Sequence, residues 1–304
     1  MKENILITGG AGLLALNWGL TLRDDYNINL VMHSRKIQLP GTTSIYFSLD
    51  SLEEIQMNIE KIKPKVVIHA AGLTSVEICE INPDLAHHTN VTLAENIAKV
   101  CSKLNITLVH ISTDHLFSGD EQLVKEEHPT EPQNVYAKTK TEAELHVLNS
   151  YPESLVVRTN FYGWGTTYRR SFSDMIINSL NKGESLSLFH DVFYTPVYTG
   201  VLIQAVHDLL KVNATGIYHV VGDERLSKYQ FGKKIAKQFG LDDSLIVKGS
   251  FAEQPNLIHR PYDMSISNKK VCELLGRSLG NVDENIHMLY QQYETGLAQE
   301  IQKL

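Results

Sequence analysis

The sequence predicts an α/β protein built on a doubly wound parallel sheet, with a smaller, interleaved C-terminal substrate domain. Three observations carry that expectation. Short apolar runs rich in Val and Ile alternate with helix patterns through the first half of the chain. The first run leads into a glycine-rich turn followed by helical spacing. A later run, ITLVHI, ends in the polar cluster STDH, as a strand does when it delivers chemistry to the carboxyl edge of a sheet.

Taken in order, the strand runs are NILIT (4–8), NINLVM (27–32), SIYF (44–47), KVVIHA (65–70), ITLVHI (106–111) and SLVVR (154–158). Helix patterns cover 51–61, 84–103 and 136–149 between them. Beyond about residue 165 the alternation loosens, with helices at 171–183, 199–211 and 230–240 and one more strand at 216–221. We expect residues 1–165 to form the dinucleotide-binding domain, with 191–222 returning to it, and 166–190 with 223–304 to form the smaller domain. The apolar helices at the C-terminal end offer a surface for a homodimer.

Composition narrows the function. With 304 residues, 42% of them hydrophobic and 21% charged, the chain is long enough for a large core and is not compositionally disordered. A net charge of -7 gives no basic footprint, so neither nucleic acid nor an anionic membrane surface is an expected partner. Cys79, Cys101 and Cys272 lack disulfide or zinc spacing. No apolar run approaches the roughly 18 residues of a membrane span, and a strand begins at Asn4, so we expect a cytoplasmic protein. The 13 histidines form no ligand pattern, and no metal site is expected.

The glycine turn is the first functional signal. Gly10, Gly12 and Ala15 fit G-x-G-x-x-G/A, and Gly9, Gly12 and Ala15 fit its wider-spaced variant, with Leu13 and Leu14 opening the helix. Such a turn lets the backbone approach a pyrophosphate at a helix N-terminus, although a purely structural turn also needs small residues. It marks the fold as Rossmann-type. NAD-selective sites place an acid at the end of the second strand; here His33-Ser34-Arg35-Lys36 stands instead. Ser34 and Arg35 suit a 2'-phosphate, so NADP(H) is favoured, while NAD(H) remains compatible and solvated loop charges are the bland alternative.

Tyr136 and Lys140 lie four apart in a helix pattern and share one face. An ammonium beside a phenol favours the phenolate, so Lys140 is expected to lower the pKa of Tyr136 and to hold the nicotinamide ribose. Tyr136 then donates a proton to a carbonyl oxygen as hydride reaches its carbon.

The motifs TGGAGLLA, HAAGLTSVE, HISTDHLFSGD, YAKTK, RTNFYGWG, TPVYTGVL and GIYHVVGDE together resemble the extended short-chain dehydrogenase/reductase superfamily. Within it, the chain is most similar to the dTDP-4-dehydrorhamnose reductase group, from about residue 4 to residue 276. The resemblance implies NAD(P)H-dependent reduction of the 4-keto group of a nucleotide-activated deoxysugar in polysaccharide or glycan precursor synthesis. It implies that Thr113 polarises the carbonyl, that Tyr136 is the proton donor and that Lys140 activates it. It places Asp50 near the adenine, Ala70, Ala71 and Gly72 along the cofactor, and Asp114, His115, Asn160 and Trp164 around the sugar nucleotide. Arg260 is a candidate for its phosphates or a surface arginine. Some members of the group use Mg²⁺, but no ligand set transfers.

His115 stands where the group has a tyrosine, which leaves open a coupled epimerase and reductase using the imidazole as acid or base. The acid pair T-D-E of sugar nucleotide dehydratases is missing. A further alternative is a non-catalytic, dinucleotide-binding regulatory subunit, as occurs among relatives of the group.

Overall fold

The computed structural model describes residues 2–304. Six strands follow the sequence expectation closely: β1 (Asn4–Thr8), β2 (Asn27–Met32), β3 (Thr43–Tyr46), β4 (Val66–His69), β5 (Thr107–Ile111) and β6 (Leu155–Arg158). A seventh, Gly216–His219, joins them at the edge beside β6. All pairings are parallel, and the spatial order is Gly216–His219, β6, β5, β4, β1, β2, β3. The strand order therefore reverses between β1 and β4, the switch point where doubly wound sheets bind ligands.

The continuous apolar runs are explained by what covers each face. Ile5, Ile7, Val66, Ile68, Val109, Ile111, Leu155 and Val157 belong to one core. The residues between them, Leu6, Val67, Leu108 and Val156, belong to a second. Successive side chains point to opposite faces, and both faces are dry, so no polar alternation survives in the sequence. Helices Leu13–Leu22 and Thr199–Lys211 contribute to the first core. Helices Leu52–Ile62, Leu93–Leu104 and Val135–Ser150 contribute to the second.

The same parity governs the polar ends. Thr8, His69 and His110 are in register across β1, β4 and β5, on the face covered by helix Val135–Ser150. All three are buried. That helix is anchored at its start by Asn134, whose side chain accepts from the Ala137 amide.

One helix differs from expectation. The 84–103 pattern is helix Pro83–His87, a π turn His88–Thr92, and helix Leu93–Leu104. The bulge turns Asn90 inward, where its side chain bonds Leu73 backbone N at 2.7 Å, Leu73 O at 3.1 Å and Thr139 Oγ1 at 3.0 Å. It thereby ties the loop after β4 to helix Val135–Ser150. π-Bulges of this kind recur at functional sites.

Beyond β6 the chain forms small two-stranded units. Phe161–Tyr162 pairs with Val197–Tyr198, Phe193–Tyr194 with Leu226–Ser227, and Leu186–Phe189 with Ile246–Gly249. Tyr162, Tyr194 and Phe231 share the core that holds Ile5 and Trp18, so the C-terminal elements pack continuously against the large sheet. Among the described residues no helix is long and apolar enough to cross a membrane.

Candidate active site

The glycine turn forms a cradle at the end of β1. Gly9 has φ +69°, and a Cβ there would lie 2.9 Å from the backbone of Ala70 and Ala71. A Cβ on Gly12 would meet the Gly9 carbonyl at 2.9 Å. Helix Leu13–Leu22 opens with Gly12 as its N-cap, no side-chain cap and no acid in its first turn. Its first amides and the positive end of its dipole thus point at open backbone, which fits the pyrophosphate of a dinucleotide.

Thr8 sets the strap opposite this turn. Its hydroxyl accepts from the amides of Ala70 and Ala71 at 3.2 Å each and lies 2.9 Å from His69 Nδ1. Ala70, Ala71 and Gly72 are half-buried, and a Cβ on Gly72 would stand 3.1 Å from Asn90 Oδ1. Ser34 and Arg35 are exposed at the end of β2, with the Arg35 guanidinium 3.8 Å from the centre of the Tyr168 ring. Tyr168 in turn donates its hydroxyl to Ala11 O at 3.0 Å, and Arg169 donates to Thr74 Oγ1 at 2.6 Å. Segment 166–170 therefore spans from the glycine turn to the loop after β4. Asp50 is exposed and pairs with His88 at 2.8 Å.

At the tip of β5, Thr113 and Asp114 are buried and His115 is half-buried. The Thr113 hydroxyl lies near the Tyr136 phenol, contacts Asp114 Oδ1 at 3.4 Å and accepts from the His115 amide at 3.3 Å. The His115 ring stands edge-on to Tyr136, with centroids 5.6 Å apart. Asn160, from the turn after β6, donates to Asp114 Oδ2 at 2.6 Å. The structure thus brings Thr113, Asp114, His115, Tyr136, Lys140 and Asn160 together.

Two expectations need correction. Lys140 does not lower the Tyr136 pKa: its ammonium donates to Ile111 O at 2.8 Å and lies 3.4 Å from His110 Nε2. Burial dominates the phenol and pushes it up to about 12, opposed by the neighbouring Thr113 hydroxyl and more weakly by the Arg169 charge. Burial also brings Lys140 down to about 8. Trp164 is no substrate contact: it has 0% exposure and its ring packs against Phe239 and Tyr293. Its neighbour Gly163 is equally enclosed, so the backbone turn directs the indole into the core.

Arg260 is half-buried, forms an ion pair with Glu77, and places its charge near His115 and Lys228. Burial, followed by the Lys228 and Arg260 cations, holds His115 down to about 3. The imidazole is therefore neutral in the physiological range and carries no acidic proton to spare, which weakens its reading as a catalytic acid.

Sequence reasoning missed the scaffold under this tip. Ser112 donates to Glu144, and Arg158 grips the same carboxylate from Nε at 3.0 Å and Nη2 at 2.7 Å. Glu144 follows Lys140 by one helical turn and Arg158 ends β6, so the network locks helix to sheet beside the reactive groups. Lys228 was also missed, because a lysine opening an amphipathic helix carries the same signal as any solvated charge.

Glycine cradle, Thr-Tyr-Lys arrangement and sheet order define a Rossmann-type oxidoreductase of the short-chain dehydrogenase/reductase kind. The chain belongs to the family described as RmlD substrate binding domain, whose family model matches residues 1–295. It is similar to the probable low-salt glycan biosynthesis reductase Agl14 of Haloferax volcanii, 27% identical over 289 residues, covering 93% of this chain and 96% of the relative. It is also similar to methionine adenosyltransferase 2 subunit beta of Xenopus laevis, 29% identical over 252 residues, covering 80% of this chain and 74% of the relative. Among solved structures, dTDP-4-dehydrorhamnose reductase from Bacillus anthracis in complex with NADP has a TM-score of 0.84 and 26% identity, covering 96% of this chain and 100% of that one.

Proposed function

We propose that this protein reduces the 4-keto group of a nucleotide-activated deoxysugar with NADPH, in the synthesis of polysaccharide or glycan precursors. The observation that carries the proposal is the grouping of buried Thr113 and Tyr136 at the sheet's carboxyl edge, with the His115 ring edge-on to the phenol, Lys140 one turn along and the glycine cradle across the switch point. Similarity to a reductase whose solved structure holds NADP supports the choice of cofactor. We read the protein as cytoplasmic.

In this reading Gly9, Gly12, Leu13 and Leu14 hold the pyrophosphate, and Ser34 with Arg35 meets the 2'-phosphate. Asp50 and the strap Ala70–Ala71–Gly72 line the adenosine and nicotinamide arms. Bound NADPH supplies the hydride. Thr113 and Tyr136 present two hydroxyl donors to the carbonyl oxygen, where negative charge develops. Because burial holds the phenol up to about 12, Tyr136 arrives protonated and gives its proton to that oxygen. Lys140 keeps its ammonium on Ile111 O, one helical turn from the phenol, and offers its remaining N–H groups to ribose hydroxyls. Asp114 and Asn160 fix the tip that carries Thr113. His115, Asn160 and Arg260 line the sugar nucleotide side.

The test is a panel of dTDP- and UDP-4-keto sugars with NADPH, following absorbance at the reduced nicotinamide band. Turnover is expected with at least one member, and Tyr136→Phe should lower kcat by about 10²–10⁴ while NADPH still binds. A second reading, a regulatory subunit, draws on the similarity to methionine adenosyltransferase 2 subunit beta. NADPH binding with no turnover on the whole panel would support that reading instead.

A further inference from the structure

Lys228 opens helix Lys228–Phe239, directly after the cap Ser227. In sequence it belongs to the polar side of an amphipathic helix, but the fold turns its head inward. The ammonium lies 3.3 Å from the centre of the Tyr194 ring and 5.1 Å from that of Phe172. These aromatic walls hold the cation without accepting its protons along N–H···O lines. Its strongest charged neighbour is Asp114, then Arg260, and no side-chain hydrogen bond engages it. Burial pushes Lys228 down and Asp114 up, and their mutual attraction opposes both shifts.

Other polar groups around this point are also unspent. His115 Nδ1 and Tyr194 Oη are buried with no hydrogen-bond partner. His115 feels the Lys228 charge, and Tyr194 feels that of Asp114. Asp114 itself has one strong donor, Asn160 at 2.6 Å, and only a long contact from Thr113 at 3.4 Å. Buried polar groups left unsatisfied cost stability, so a concentration of them beside reactive residues calls for a polar ligand. The charges decide its kind. Lys228 faces Asp114 and Arg260 is paired with Glu77, so the local cations are already balanced and do not ask for another anion. Neutral hydroxyls, able to accept a hydrogen bond from Lys228 and donate one to Asp114, fit this donor and acceptor pair.

We propose that Lys228 is a specificity-determining residue of this site, donating from its ammonium to a ring hydroxyl of the sugar next to the reacting carbonyl while Asp114 accepts from that sugar. The proposal rests on the nucleotide-sugar reading given above. It makes the enzyme discriminate against sugars deoxygenated at the matching ring position, because the missing hydroxyl leaves the inward-turned ammonium without a hydrogen-bond acceptor.

The test measures binding to the full-length protein saturated with NADP⁺, by calorimetry, so that it does not depend on turnover. The probes are dTDP-glucose and UDP-glucose, each beside its 2-deoxy and 3-deoxy analogues. Wild-type protein is expected to bind a glucose form more tightly than one deoxy analogue by on the order of ten- to a hundredfold, the range of a hydrogen bond to a charged group. Lys228→Met should bring that ratio close to one with unchanged NADP⁺ affinity, which also reports an intact fold. Should Lys228→Met fail to fold, Lys228→Arg keeps the charge beside Asp114 but displaces the donor, and the ratio should still fall. A ratio equal to wild type in the folded variant, or an equal loss for all sugars, would overturn the assignment and leave Lys228 as a counter-ion. Wild-type protein that holds NADP⁺ yet binds none of the sugars would overturn both this proposal and the nucleotide-sugar reading beneath it.

Discussion

Tyr136 and Lys140 sit one helical turn apart, yet each is tuned by a different neighbourhood. The phenol is sealed against Thr113 and His115, so loss of water raises its pKa; the ammonium reaches down to Ile111 O and the His110 ring. The spacing of the two residues was legible in the sequence, because a helix fixes which positions share a face. The direction of the pKa shift was not, because burial and the lysine's chosen acceptor come from β5. A pH dependence follows. Lys140 titrates at about 8 in the cofactor-free protein, so it is charged below that pH and neutral above it. Values of kcat/KM for NADPH, which report the cofactor-free form, should hold below pH 8 and fall as pH rises through it. Lys140→Arg, charged throughout, should lose that limb, whatever its absolute rate. A limb unchanged in the arginine variant would assign the titration to another group.

Elements meet at the site through contacts that no local pattern announces. Arg158, Glu144 and Ser112 come from β6, helix Val135–Ser150 and the tip of β5, and the ion pair is almost fully enclosed. A reader of the sequence sees an arginine ending a strand and a glutamate in a helix, each of which usually faces water. Asn90 is similar: it reads as a helix interior residue, and only the π turn reveals that it fastens the strap after β4. Trp164 shows the converse error, since a motif position does not say which way a turn will send the side chain. Removing one partner of the buried pair leaves the other charge stranded. Glu144→Ala should therefore destabilise the protein by about 3–5 kcal/mol in urea unfolding, whereas a Glu144→Leu, Arg158→Met double variant should recover most of that loss. Equal stability of Glu144→Ala and wild type would show that Arg158 finds water instead. The double variant is also expected to reduce turnover, because Thr113 loses its support beneath Ser112.

At the scale of the whole molecule, the strands were legible because the central ones, β1, β4, β5 and β6, are dry on both faces and so appear as nearly unbroken apolar runs. The C-terminal half was less so: its strands are two to four residues long and gain their stability from partners distant in sequence, such as Phe193–Tyr194 with Leu226–Ser227. Their contribution is to carry Tyr194 and Lys228 to the tip of β5, where they face groups supplied by the large sheet. Each half is therefore chemically incomplete alone. In the proposed reaction this joined surface places a sugar carbonyl between a dinucleotide and Tyr136. The most direct measurement uses NADPH carrying deuterium at both hydrogen positions of nicotinamide C4 with a dTDP-4-keto-6-deoxy sugar, followed by NMR of the isolated product. One deuterium is expected on C4 of the sugar for each NADPH oxidised, with Tyr136→Phe forming the labelled product about 10²–10⁴ times more slowly. NADPH oxidation that leaves C4 of the sugar unlabelled would contradict it.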